Sequence, residues 1–204
     1  KNGEILEKID IFDILLKDNV IFNITVSSED AKCDDIFHLN DVRLLKKIPK
    51  KLRSVIPKES LQNQLALLSL RDINTLAIID LDEKKIIWSV SNLFKNQHSP
   101  RVLPNGNILS FDNFALSEIG ESKYGFSALT EINPITKEIV ARLDSNSSFG
   151  FSSQRRGRVQ VYGEKGLFVL SSDDRKFFNV QCEPNENVFL RNCNIDLLLS
   201  LIHI

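Results

Sequence analysis

Apolar residues along this chain fall in short dense blocks separated by turn residues, and the blocks recur. "LALLSLRDINTLAIIDLDEKKIIWSV" (Leu65 to Val90) reads as strand, turn, strand, Asp/Lys turn and strand. "RVLPNGNILSFDN" and then "ALTEINPITKEIVARL" (Ala128 to Leu143) repeat that order around a longer central loop. "RVQVYGEKGLFVLSSDDRKFFNVQCEPNENVFLRN" (Arg158 to Asn192) repeats it again. β-Branched apolar runs closed by Gly, Asn or Asp turns are the mark of antiparallel hairpins. Ile86, Ile139 and Val188 stand at equivalent points of the closing strands, 53 and 49 residues apart. Propeller blades recur at about 40–50 residues. "GEILEKI" near the start parallels "KEIVARL" and predicts the end of one more blade. The wider gap before Ile86 is filled by "KKIPKKLRSVIPKESLQNQ" (Lys46 to Gln64), a basic insertion that reads as a solvated loop because no aromatics interleave its cations. Helical periodicity is confined to "EILEKIDIFDILLKDN", where Ile5, Ile9, Phe12 and Leu16 mark one face of a short helix.

The expected fold class is therefore all-β, an incomplete β-propeller of about three to four blades. A propeller protects its strand edges by closing its ring, and a partial ring leaves edges unpaired. The chain thus reads as a slice of a longer product, with a partial propeller domain over residues 1–198. The last residues, "LSLIHI" (Leu199 to Ile204), match what a sequencing adapter encodes in one frame, so 199–204 are expected to be a non-native tail and His203 is set aside.

Composition narrows the function classes. Lys plus Arg number 26 against 27 Asp plus Glu, so the net charge of -1 exerts no general pull on nucleic acid or anionic lipid. No run approaches the ~18 apolar residues that cross a bilayer. Neither nucleic acid nor membrane is an expected partner. Cys33, Cys182 and Cys193 have no metal-type spacing, and no metal is expected. A bridge across the eleven-residue gap from Cys182 to Cys193 is open, but buried unpaired thiols are the favoured reading.

Three short motifs carry candidate chemistry: "FHLNDV" with His38 and Asn40, "SLRDIN" with Arg71, and "NQHSP" with His98. Histidine serves as nucleophile or acid/base near neutral pH. Arginine offers a fixed fork of donors that fits the oxygens of phosphate or sulfate, and asparagine adds a neutral donor. Converged at a channel mouth, these groups suit transfer of a tetrahedral oxyanion.

"HLNDV", "LLSLRDINTLAIID", "IIWSV" and "QHSPRVLPNGNILSFDN" resemble the arylsulfate sulfotransferase family, bacterial six-bladed propeller enzymes that need no nucleotide sulfate donor. The resemblance implies that His98 is transiently sulfated, that His38 and Arg71 contact the sulfuryl group, and that Asn40 holds the accompanying substrate-binding position. It implies an aryl sulfate donor, a phenolic acceptor, a ping-pong mechanism, no cofactor and a periplasmic location. The family's further active-site histidine lies in an earlier blade, so the slice alone is expected to be inactive. Ser99 follows His98 where related sequences often have Asp or Thr, and "VYGEKGLFVL" lacks the Asn-Gly-Asn turn.

Other readings compete with the catalytic one. From a different class comes a non-catalytic propeller serving as a binding or scaffold module; a quinone-dependent propeller dehydrogenase lacks its Trp-rich pattern. Arg71 could instead form a surface ion pair with Asp72 or Asp41. The run Arg155, Arg156 and Arg158 reads as solvated charge more readily than as an anion patch. Trp88 reads as a packing aromatic rather than an aryl-stacking one. Asp112 and Asn113 read as strand-end residues satisfying loop amides. The turn after Leu103 is expected to hold the His98 loop in place.

Overall fold

The computed structural model describes residue 5, residues 7–18, residue 35, and residues 37–115, 127–144 and 152–200, without the side chains of 199 and 200. Its strands form three antiparallel four-stranded sheets, each with its strands in chain order. Sheet 1 holds β1 (Leu39–Leu44), β2 (Leu65–Leu70), β3 (Thr75–Asp80) and β4 (Lys85–Ser91). Sheet 2 holds β5 (His98–Val102), β6 (Ile108–Asp112), β7 (Ala128–Asn133) and β8 (Glu138–Asp144). Sheet 3 holds β9 (Gly157–Tyr162), β10 (Gly166–Ser171), β11 (Lys176–Gln181) and β12 (Asn194–Ser200). The architecture is all-β, and among the described residues no sheet closes on itself. The first strands of the three sheets are neighbours, with β5 against both β1 and β9.

The continuous apolar runs of β2 and β3 have a direct cause: both faces of sheet 1 are covered. On one face Leu65, Leu67, Leu76 and Ile78 pack with Ile108 and Ile132 of sheet 2. On the other, Ile14 packs on Ala66, Leu68 and Ile79. Ile14 belongs to α1 (Ile11–Lys17), whose N-cap Asp10 accepts from the amides of Phe12 and Asp13. A short helix forms in the second half of the predicted segment only, and its buried face is Ile14 and Leu15, while Phe12 and Leu16 are 45% and 46% exposed. The segment is apolar on two stripes, and docking selected the other one. The described residues 5 and 7–10 form no strand, so the blade end expected at "GEILEKI" finds no support there.

Two strands fall elsewhere than the apolar pattern puts them. β1 lies ahead of the insertion, in a run too polar and too exposed to announce itself. The closing strand of sheet 3 is β12, and Val188 lies in the loop before it. Ile195, paired with Val180, is the counterpart of Ile86 and Ile139, which gives spacings of 53 and 56 residues. Phe189 made the loop look like a strand because it is fully buried in the core between sheets 2 and 3.

Cys182 and Cys193 are disulfide-bonded, contrary to the free-thiol expectation. The cause is register: Gln181 pairs with Asn194, which sets the next residue outward on each strand face to face. Reducing this bond, which closes a loop of eleven residues, is expected to lower stability by about 3 kcal/mol. A denaturation midpoint unchanged by reductant would show that other contacts hold the loop. Cys33 lies outside the described residues, as do residues 201–204 with His203. The backbone of β12 takes in Leu199 and Ser200, opposite Phe177 and Lys176.

The basic insertion is not a solvated loop. It forms α2 (Lys50–Arg53) and a 3-10 helix, Lys58–Gln62, and it buries Leu52 and Ile56 in the core between sheets 1 and 2. Its docking explains Gly106 of the Pro-Asn-Gly-Asn turn: φ is +84°, and a Cβ there would lie 2.7 Å from the Cβ of Lys51. Lys51 Nζ donates to Asn107 Oδ1 (2.9 Å) and to the Glu186 carbonyl (2.6 Å). Trp88 packs as expected, with its indole N–H donating to the Pro134 carbonyl at 2.9 Å. Among the described residues no helix is long and apolar enough to cross a membrane.

Candidate active site

His98 is the first residue of β5, and the residue before it fixes its place. Gln97 is fully buried, and its Nε2 donates to the carbonyls of Leu70 and Thr75, both at 3.1 Å. The Gln97 carbonyl accepts from Asn40 Nδ2 (2.8 Å) and Ser69 Oγ (3.3 Å). One side-chain amide thus rivets sheet 1 to sheet 2 beside the imidazole. The backbone here departs from a regular ladder. Asn96 and Ser99 have φ of 56° and 55°, and the β5–β6 register slips between His98 and Arg101. Such a bulge re-aims the side chains it carries. The buried Ser99 hydroxyl then bridges to β9, accepting from Val159 N (3.0 Å) and donating to Val159 O (3.3 Å).

The His98 ring has a defined tautomer. Its Nδ1 is 2.7 Å from Asn113 Oδ1 and 3.1 Å from the Asn96 carbonyl. The amide of Asn113 is oriented by its nitrogen, which donates to the Ser153 carbonyl. Both partners of Nδ1 are acceptors, so Nδ1 carries the proton and Nε2 keeps its lone pair. Burial holds the pKa of His98 below its ordinary value of 6.5; the charges of Arg71 and His38 push the same way, against the bonds to Asn113 and Asn96. The imidazole is therefore neutral at pH 7, the form a nucleophile needs.

The side chain of Asn113 is turned to His98 and to the Ser153 carbonyl, not to the loop amides expected of a strand-end residue. Its neighbour Asp112 does serve loop amides, accepting from Lys95 N at 2.9 Å, and burial raises it to about 6. Asn113→Ala is expected to lower kcat by less than the ~10⁴-fold that a wrong tautomer costs, because the Asn96 carbonyl still faces Nδ1. Removing a bond that raises the His98 pKa also moves the acid limb of the pH–rate profile to lower pH. A limb that stays in place or moves up would refute this role.

His38 and Arg71 come together around one carboxylate. The Arg71 amide donates to the His38 carbonyl at 3.1 Å, which joins the start of β1 to the β2–β3 turn. Asp72, almost fully buried, lies 2.5 Å from Arg71 Nη1 and 3.8 Å from His38 Nδ1. The ion pair offered as the alternative for Arg71 does form, with Asp72, but Arg71 is only 17% exposed. Arg71 Nε is buried without an acceptor among the described residues.

A recess of about 250 Å³ opens beside His98, lined also by Asn40, Asp41, Ser99, Arg156, Gly157 and Arg158. His38 and Arg71 are outside that lining and act on His98 through their charge. Asn40 has one amide hydrogen on Gln97, and its Oδ1 is buried with no donor among the described residues.

The family model for arylsulfotransferase (ASST) matches residues 1–190. The chain belongs to the arylsulfotransferase family. Among curated proteins no match is found. Family membership supports an arylsulfotransferase-like function, and the matched region contains every residue of the site just described.

In this member of the arylsulfotransferase family, Gln97 and Asn113 were legible as letters and not as roles. Both flank or face a motif histidine, yet only the fold shows an amide crossing between sheets and another crossing from β6. Arg156 and Arg158 carry no local signal beyond charge. The turn after Leu103 does not hold the His98 loop, because it lies at the opposite end of the β5–β6 hairpin. There it ties the insertion to sheet 3 through Asn107, whose Nδ2 donates to Asn187 O at 2.7 Å.

Proposed function

We propose that this chain carries the sulfuryl-accepting part of a nucleotide-independent arylsulfate sulfotransferase, with His98 Nε2 as nucleophile. The observation that carries the reading is the pairing of Nδ1 with two acceptors, which reserves Nε2 for attack. The Nε2 lone pair forms a bond to sulfur while the aryl C–O–S ester breaks at its S–O bond. The phenolate leaves with that electron pair and takes a proton from water. A phenolic acceptor then attacks the same sulfur, the N–S bond breaks, the acceptor's proton passes to solvent, and the lone pair returns to Nε2. Throughout, the Nδ1 proton stays on the ring, where Asn113 and Asn96 stabilise the positive charge that develops on sulfation. Arg71, through its unpartnered Nε, and His38 serve the sulfuryl oxygens, and Asn40 Oδ1 receives the hydroxyl of the incoming phenol. Sulfuryl transfer asks for alignment and charge stabilisation, and neither role needs a cofactor.

The three sheets, stacked in order with their first strands adjacent, support a reading as consecutive blades of a propeller. The Cys182–Cys193 bond supports an oxidising compartment such as the periplasm. The test is to incubate the intact protein with 4-nitrophenyl sulfate and no acceptor, then digest it. The expected peptide containing His98 is heavier by one SO₃, and added phenol removes that mass. A peptide that stays unmodified while nitrophenolate is released would overturn the nucleophile.

A further inference from the structure

We propose that the recess beside His98 contains a second anion subsite, formed by Arg156 and Arg158, which selects aryl substrates bearing a ring carboxylate. The proposal rests on the sulfuryl-transfer reading and specifies the substrate class of that same site.

Placement is the first support. Gly157, between the two arginines, lies so close to Phe111 that a Cβ would be 2.3 Å from the ring. Phe111 is the residue paired with His98 across β5 and β6. The buried glycine thus seats on the partner of the nucleophile, while Arg156 and Arg158, alternating with it, both line the recess. Two further ties hold this segment. Ser153 Oγ donates to the Arg156 carbonyl and Ser153 O accepts from Asn113, the residue that orients His98. Ser99 stitches β5 to Val159, next to Arg158.

Charge is the second support. Asp41, the carboxylate in the lining, already has two guanidiniums, Arg43 Nε at 2.9 Å and Arg101 Nη1 at 3.2 Å. Among the described residues no carboxylate pairs with Arg156 or Arg158. Arg158 also lies near enough to Arg101 that its charge helps depress the Arg101 pKa. The recess therefore holds an excess of positive charge beside a neutral nucleophile. The sulfuryl oxygens are assigned to Arg71 and His38, which are outside this lining. A second anionic group on the aryl ring is what remains for the other two guanidiniums to bind. Donor and acceptor occupy the aryl position in turn, so the preference applies to both.

The experiment compares 4-hydroxybenzoate with its neutral analogue 4-hydroxybenzamide as acceptors from 4-nitrophenyl sulfate, using the intact protein. The carboxylate is expected to have the higher kcat/KM by about tenfold, the worth of one charge-assisted hydrogen bond. Arg156→Gln and Arg158→Gln are expected to abolish most of that ratio through the KM of the carboxylate. Equal kcat/KM for the two acceptors in wild type overturns the subsite. So does an equal fall for both acceptors in the variants, which would assign the arginines to the sulfuryl group. If neither acceptor is sulfated, calorimetric titration of the two compounds decides separately. Tighter carboxylate binding that both variants lose keeps the subsite and rejects the transferase; absence of selectivity rejects the subsite.

Discussion

Replacing His98 with alanine is expected to abolish transfer from 4-nitrophenyl sulfate to phenol in the intact protein, by ~10⁴-fold or more, the scale seen when a covalent nucleophile is removed. The reason is that no described neighbour can take over. Gln97 is an amide engaged on sheet 1, Ser99 is engaged on Val159, and His38 lies outside the lining of the recess that His98 faces. The variant should still fold, because the imidazole is half-buried and its partners Asn113 and Asn96 retain other contacts. Turnover that persists in His98→Ala would remove the nucleophile assignment and leave the family match to be explained by another residue. The neutral state of His98 adds a second readout. Because its pKa lies below 6.5, wild-type kcat/KM should hold its plateau below pH 6.5 and fall only when Nε2 becomes protonated.

The largest loss of stability is expected at Glu131. This residue of β7 is fully buried, and its two carboxylate oxygens gather donors from two other parts of the chain. Phe189 N reaches Oε1 at 2.8 Å and Oε2 at 2.9 Å, and Leu190 N reaches Oε2 at 2.8 Å. Asn107 Nδ2 adds a bond of 2.6 Å from the Pro-Asn-Gly-Asn turn. Alanine would leave these donors buried without an acceptor, at about 1–3 kcal/mol each. The sum expected for Glu131→Ala is therefore roughly 3–5 kcal/mol, in the range for breaking a buried charged network. Glu131→Gln, which keeps one oxygen, should lose less. A loss below ~1 kcal/mol for Glu131→Ala in a denaturant titration would mean that water reaches these amides.

Glu131 also shows why part of the fold escaped a reading of the chain. Nothing local marks "TEIN" as different from any polar-flanked strand. Its carboxylate matters because the disulfide loop of sheet 3 folds back onto sheet 2, 58 residues away along the chain. The basic insertion was misread for a related reason. Its lysines are surface residues, but Leu52 and Ile56 meet a groove that exists only after sheets 1 and 2 have stacked. The disulfide followed from a strand register, and that register was hidden by the apolar Phe189, which imitates a strand while serving as a core plug.

The motif residues are brought together only in part. His98 and Asn40 line one recess, and Arg71 and His38 share Asp72 nearby, with their charges felt at His98. The motifs could not reveal which imidazole nitrogen is free, because the residue that settles it, Asn113, comes from the turn after β6.

The strands from β2 to β11, their turns, the all-β class and the motif residues with candidate chemistry were determined by the sequence, since each depends on neighbours within a few positions along the chain. Which helix face docks, how the cysteines pair, which tautomer His98 adopts and what Arg156 and Arg158 face were decided only by the tertiary structure. Those properties depend on groups brought near by sheet stacking, and the distance along the chain between them carries no local trace.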